Sequence, residues 1–158
     1  CAHIHIDLHL AAEYMLDECF YERMEEGLLS YDGKHVLVEV SCLQAPGDLF
    51  EKLYDIQLNG FVPVFAHPER YGFWKMEDLI KLKEHGCKFQ LNLFSLAGFY
   101  GTLPRKTAGS LLKNGCYDYT GTDIHSLNYC RAYESFSLKK DQFEAVKLLI
   151  RANGELWG

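Results

Sequence analysis

The sequence predicts a parallel α/β fold, and three observations carry that expectation. Short apolar runs rich in β-branched residues alternate with amphipathic stretches along the chain. The strand-like runs are consecutively apolar, which suits strands covered on both faces of a sheet. Prolines fall where helices would begin and glycines where they would end, so the punctuation agrees with the periodicity.

A first strand is expected over 3–10, followed by a helix over 17–26. HVLVEV at 35–40 reads as the second strand, and a helix over 46–58 opens on Pro46 and closes on Asn59 and Gly60. FVPVFA at 61–66 is the third strand, with a helix over 76–85 stopped by Gly86. Residues 87–93 form the fourth, and its helix over 104–113 starts at Pro104 and ends at Asn114 and Gly115. A fifth strand over 117–120 and a helix over 140–152 complete the pattern. No low-complexity linker or charge block interrupts it, so the 158 residues read as one domain.

Composition narrows the function. Nearly half the residues are apolar (48%), enough for a core. Asp and Glu number 22 against 16 Lys and Arg, and no basic stripe breaks the acidic balance, which argues against a nucleic-acid partner. No apolar run approaches the ~18 residues that would predict membrane insertion, and no leader pattern opens the chain, so the cytoplasm is the expected compartment. The six cysteines, at 1, 19, 42, 87, 116 and 130, stand singly without a C-x-x-C pair and are expected to be free, buried thiols.

Parallel β/α proteins carry their chemistry at the carboxyl ends of the strands. The polar residues expected there are Glu13, Glu39, His67, Asn92, and the pair Asp123 and His125, recurring at intervals of 25 to 31 residues. Glu39 inside an apolar strand would be costly to bury unless paired or bound to a cation. Asp123 and His125 share a face of an extended segment and can reach one ion. Each has a plainer alternative: an edge strand with Glu39 in water, a structural His67, a chance D-x-H, or a Glu13 that simply enters a helix.

Carboxylates mixed with imidazoles suit Mn, Fe or Zn rather than a thiolate site. Such ions would activate water and clamp the oxygens of a phosphate ester. Arg70 and Arg131 could each hold a phosphoryl group bidentately. His3 and His5 imitate the H-x-H of many metal hydrolases, but their expected strand runs on through Leu10 instead of breaking into a loop. They are read as non-ligands, as is His9.

VEVS at 38–41, NGFVPVFAHPERY at 59–71, QLN at 90–92, SLAGFYG at 95–101 and GTDIH at 121–125 resemble the PHP-type bacterial tyrosine phosphatases of capsular and exopolysaccharide synthesis. The resemblance runs from Glu13 to His125 and implies a distorted parallel β/α barrel holding up to three divalent ions, manganese foremost. It implies Glu13, Glu39, His67, Asp123 and His125 as metal ligands, with Arg70 and Arg131 on the substrate phosphate. The implied partner is an autophosphorylating bacterial tyrosine kinase that carries phosphotyrosine. Histidinol phosphatase or another PHP phosphoesterase, and a non-catalytic PHP remnant, are the alternative readings.

The family's first strand carries an H-x-H that is not found at the corresponding place upstream of Glu13. A closed barrel of this type needs ~250 residues, so the chain is expected to be a single PHP domain that lacks its first strands. Either sequence before Cys1 supplies them, or a second copy covers the open edge and makes a homo-oligomer.

Overall fold

The computed structural model describes residues 8–127, 129 and 136–156. Five parallel strands lie side by side in chain order: β1 (Glu13–Met15), β2 (His35–Glu39), β3 (Val62–Ala66), β4 (Lys88–Asn92) and β5 (Tyr119–Gly121). Between them run α1 (Phe20–Glu26), α2 (Leu49–Leu58), a 3-10 turn (Pro68–Arg70), α3 (Met76–Glu84), α4 (Leu93–Ala97) and α5 (Thr102–Lys113), and α6 (Lys140–Leu156) follows β5. The expected parallel β/α order is borne out.

The register explains which side chains can meet. Leu37 is level with Val64, Ala66 with Gln90, and Asn92 with Gly121, and residues level across a parallel pair share a face. Val36, Val38, Phe65, Phe89 and Leu91 therefore lie on one face, where they are fully buried with Phe20, Leu53, Ile56, Leu79, Leu82 and Leu111. The other face carries His35, Leu37 and Glu39 of β2, which are only half-buried. The expectation of strands buried on both faces thus holds for β3 and fails for β2. It is this second, less covered face that carries Glu13 and Glu39.

Gly60, Gly86 and Gly115 take positive φ just past the ends of α2, α3 and α5, as their positions predicted. Several boundaries need correction: α5 starts at Thr102, two residues before Pro104, β5 begins only at Tyr119, and α6 runs on to Leu156. The first strand is Glu13–Met15, while Leu8 and Leu10 are exposed and outside any strand; the expected span 3–7 lies outside the described residues. Alternation had suggested a strand there, but pairing begins only where Glu13 comes level with Leu37. α1 starts at Phe20, and α2 at Leu49, because 46–48 form a turn in which the Leu49 N–H donates to the Pro46 carbonyl. α4 was not foreseen: its first residue, Leu93, closes the expected strand over 87–93 and its other four were given no element, and the Asn92 side chain caps it by accepting from the Phe94 N–H at 2.9 Å.

Cys87 is buried as expected, but Cys19 and Cys42 are exposed; all three are free thiols, as is Cys116, and Cys1 and Cys130 lie outside the described residues.

One long-range bond ties the end of β2 to the segment after β3. The buried Val40 N–H donates to the Tyr71 hydroxyl at 3.2 Å. Burial pushes the Tyr71 phenol pKa up, so it stays neutral. Replacing Tyr71 by Phe would leave that N–H unsatisfied, at ~1–3 kcal/mol. Urea unfolding should show a loss of that size, and an unchanged midpoint would mean that the bond contributes nothing.

Candidate metal centre

Three parallel strands deliver the donors. Glu39 ends β2, and Glu13 begins β1 one pleat step lower, since Met15 is level with Glu39. Glu13 therefore reaches the site from within a strand, not from the carboxyl end that its place in the sequence suggested. His67 follows β3 and donates its backbone N–H to the Gln90 carbonyl at 2.9 Å. It then takes a left-handed φ of 35°, which turns the chain into Pro68–Arg70.

The His67 imidazole is buried (4% exposed), with Nε2 at 3.3 Å from Glu13 Oε1 and 3.4 Å from Glu39 Oε2. One donor atom of each residue lies within 4.8 Å of the others, the one such trio of His, Cys, Asp or Glu among the described residues. Burial alone would lower the His67 pKa, but the hydrogen bonds to Glu13 and Glu39 override it and push it up to about 9. The trio thus already gathers a positive charge between two carboxylates. A mixed oxygen and nitrogen donor set this close suits a borderline-to-hard divalent ion, so the residues fit a metal.

Beside this trio stands a second cluster. Arg70 Nη1 donates to Asp123 Oδ2 at 2.7 Å, and the guanidinium lies 4.4 Å from the Tyr100 ring centroid. The same Asp123 oxygen accepts from Asn92 Nδ2 at 3.1 Å and the Tyr100 hydroxyl at 3.5 Å. His125 Nδ1 sits 3.0 Å from the other Asp123 oxygen, with its side chain 71% exposed. Asp123 has φ 51°; with His67 it is one of two non-glycine residues of positive φ among the described residues.

Of the expected ligands, then, Glu13, Glu39 and His67 come together, while Asp123 and His125 pair with each other and Asp123 is neutralised by Arg70. Arg131 lies outside the described residues, as do His3 and His5. His35 and His85 are engaged elsewhere, with Asp32 at 2.7 Å and the Lys81 carbonyl at 2.8 Å.

Sequence reasoning missed three contributors. Glu69 is buried (1% exposed) and accepts from the Asn92 N–H at 3.1 Å and the Tyr117 hydroxyl at 2.9 Å. Burial pushes its pKa up. Tyr71 and Tyr100 are the others: Tyr71 stands next to Arg70 in the sequence, which was the one local signal, while Tyr100 reaches Arg70 only through the fold. A groove of about 620 Å³ opens nearby, between Met15 and Asp17 on one side and Ser41, Leu43 and Pro46 on the other.

Fold and site define a parallel β/α protein with a carboxylate–histidine centre suited to divalent ions. The chain belongs to the family described as "Capsular polysaccharide synthesis, CpsB/CapC", which matches residues 1–136. It is 28% identical over 130 residues to the Tyrosine-protein phosphatase YwqE of Bacillus subtilis, covering 79% of this chain and 51% of that protein. It is 26% identical over 98 residues to the Putative tyrosine-protein phosphatase CapC of Staphylococcus aureus, covering 61% of this chain and 38% of that one. The chain thus spans about half the length of the first relative, and less of the second. Among solved structures it resembles one from a study titled "Crystal structures of YwqE from Bacillus subtilis and CpsB from Streptococcus pneumoniae, unique metal-dependent tyrosine phosphatases". The TM-score is 0.65 at 24% identity, over 90% of this chain and 64% of that one, a likeness that bears out the fold.

Because His67 carries a proton while it pairs with the two carboxylates, metal uptake should displace it. Calorimetry with Mn²⁺ at neutral pH, in buffers of different ionisation enthalpy, should count about one proton released per trio filled. Glu39→Ala should weaken the uptake by more than about tenfold. Equal affinity in the variant would remove Glu39 from the site.

Proposed function

We propose that this chain forms part of a PHP-type, metal-dependent phosphatase that hydrolyses phosphotyrosine. The observation that carries the reading is the one short turn that joins the carboxylate–histidine trio to an arginine: His67 and Arg70 are its two ends, and the Arg70 N–H donates to the His67 carbonyl at 2.9 Å. Glu13, Glu39 and His67 would hold a divalent ion, which supplies an activated water and neutralises charge on phosphoryl oxygens.

The chain's own groups do the rest. Arg70 spends one N–H on Asp123 and keeps further donors in its planar fork for phosphate oxygens. The Tyr100 ring beneath the guanidinium fixes its plane, while burial, with the Asp123 charge, pushes the Tyr100 phenol up to about 12 and keeps it a neutral donor. We further place Asp123, His125 and Arg131 at this centre, Asp123 and His125 as additional ligands and Arg131 as a second phosphate contact.

The relatives' names support phosphotyrosine as the substrate class and capsule synthesis as the setting. The natural substrate in this reading is an autophosphorylating bacterial tyrosine kinase. The metal is manganese, and the four described cysteines, none in a disulfide, accord with a reducing cytoplasm. No helix among the described residues is long and apolar enough to cross a membrane.

The deciding assay gives the full-length protein a phosphotyrosine peptide and, separately, histidinol phosphate, with and without Mn²⁺. Mn-dependent hydrolysis of the peptide alone is expected, and preference for histidinol phosphate would redirect the reading to a small-molecule phosphatase. Arg70→Lys keeps the charge but loses the fork. It should cut kcat/KM by about tenfold or more with metal content unchanged. Metal lost from that variant would make Arg70 a support of the trio instead. Cys42→Ser should keep most of the activity, because no thiol takes part.

A further inference from the structure

We propose that Glu69 is a positioning residue that couples the metal-binding trio to the phosphate-binding arginine. This rests, for its kinetic arm, on the phosphatase reading above. Glu69 lies between His67 and Arg70 on the 3-10 turn, yet its side chain points away from solvent and is 1% exposed. A carboxylate is seldom buried so fully without a task or a full set of partners.

Its two oxygens have separate partners. Oε1 accepts from the Asn92 N–H at 3.1 Å, where β4 passes into α4. Oε2 accepts from the hydroxyl of Tyr117, itself buried just before β5. One carboxylate therefore bolts the His67–Arg70 turn to the neighbouring strand and to the approach of the next.

The coupling passes through Asn92. Its N–H is held by Glu69, its side-chain Oδ1 caps α4, and its Nδ2 donates to Asp123 Oδ2, the oxygen that also receives Arg70. From Glu69 one route thus leads along the turn to His67 and the trio. The other leads through Asn92 and Asp123 to the Arg70 guanidinium. One oxygen thus reaches Asn92, which holds Asp123 beside Arg70, while the other pins the turn that carries His67 to the buried Tyr117, so both ends of the turn depend on one carboxylate.

The test is made in the full-length protein at 25 °C, with Mn²⁺ affinity and inorganic phosphate affinity of the Mn-loaded form measured by calorimetry. Kinetics on a phosphotyrosine peptide and the thermal midpoint are recorded alongside. Glu69→Ala should weaken Mn²⁺ and phosphate binding together, each by about tenfold. Glu69→Gln keeps the shape but loses one acceptor, and should weaken both by about threefold while remaining folded. Arg70→Lys, by contrast, should weaken phosphate alone.

A lower thermal midpoint with both affinities unchanged in Glu69→Gln would overturn the proposal and leave Glu69 a structural residue. Loss of only one affinity would also overturn it, because coupling requires both. If the wild type binds Mn²⁺ and phosphate but does not hydrolyse the peptide, the phosphatase reading fails, while the Glu69 comparison is still decided by the two affinities.

Discussion

Two carboxylates, Glu13 and Glu39, face one imidazole nitrogen, and they can share that place only with positive charge between them. Two like charges ~4 Å apart repel by about 1 kcal/mol in water and about 4 kcal/mol near a protein surface. The sheet register leaves them little freedom to separate, since both rise from the same face of adjacent paired strands. An imidazolium at His67, whose pKa the hydrogen bonds to both carboxylates push up to about 9, meets the requirement, with Nε2 within 3.4 Å of both. A divalent ion would meet it more strongly and release the proton. The rest of the site can be understood as machinery that brings the third donor, His67, to that point.

That delivery is strained and therefore braced. A non-glycine residue at φ 35° costs on the order of 1–3 kcal/mol. Pro68 follows at once with its φ already fixed, so the turn loses little further entropy on forming. Tyr71 then anchors the exit: its hydroxyl takes the Val40 N–H, and its ring packs against Phe65 at 5.6 Å and Trp74 at 5.1 Å between centroids. Each aromatic pair adds roughly 0.5–1.5 kcal/mol beyond its buried area. The brace is thus of the same size as the strain, and it joins the end of β2, which carries Glu39, to the turn that carries His67.

Much of this was legible in the sequence, for reasons that differ by residue. The β/α order followed from periodicity and from the prolines and glycines, because those signals act within a few residues. Glu39 stood out because a charge inside an apolar strand demands a partner, and the structure supplies His67. Glu13 was harder: the alternation over 3–10 drew the first strand upstream, and only the pairing of Glu13 with Leu37 fixes where β1 begins. The short α4 hid within an apolar run because five residues cannot display a helical period. Glu69, Tyr71 and Tyr100 were beyond local reading, since their partners are Asn92 and Tyr117, Val40, and Arg70, all brought close by strand order. Asp123 and His125 do meet, at 3.0 Å, but through a left-handed Asp123 (φ 51°) and not the extended segment that the D-x-H spacing suggested, and nothing local showed that Arg70 would claim the Asp123 carboxylate.

That last pairing bears on how the site could receive an anion at all. Glu13, Glu39 and Asp123 set three carboxylates against one guanidinium and one imidazolium, so the cluster without a metal is negative on balance. Arg70 cannot alone invite a phosphate dianion, because Asp123 already holds it at 2.7 Å. Replacing the His67 proton by one divalent ion brings the cluster to neutrality, and a second ion would make it attractive to the substrate. Only then does the remaining fork of Arg70 face a phosphate without a net opposing field. In the proposed enzyme the ions would act on binding as well as on chemistry: the carboxylates that would hold them are the same groups that would repel an anionic substrate in their absence. For the phosphatase proposed above, metal dependence would therefore follow from the charge balance of the residues themselves, ahead of any question of how a water is activated.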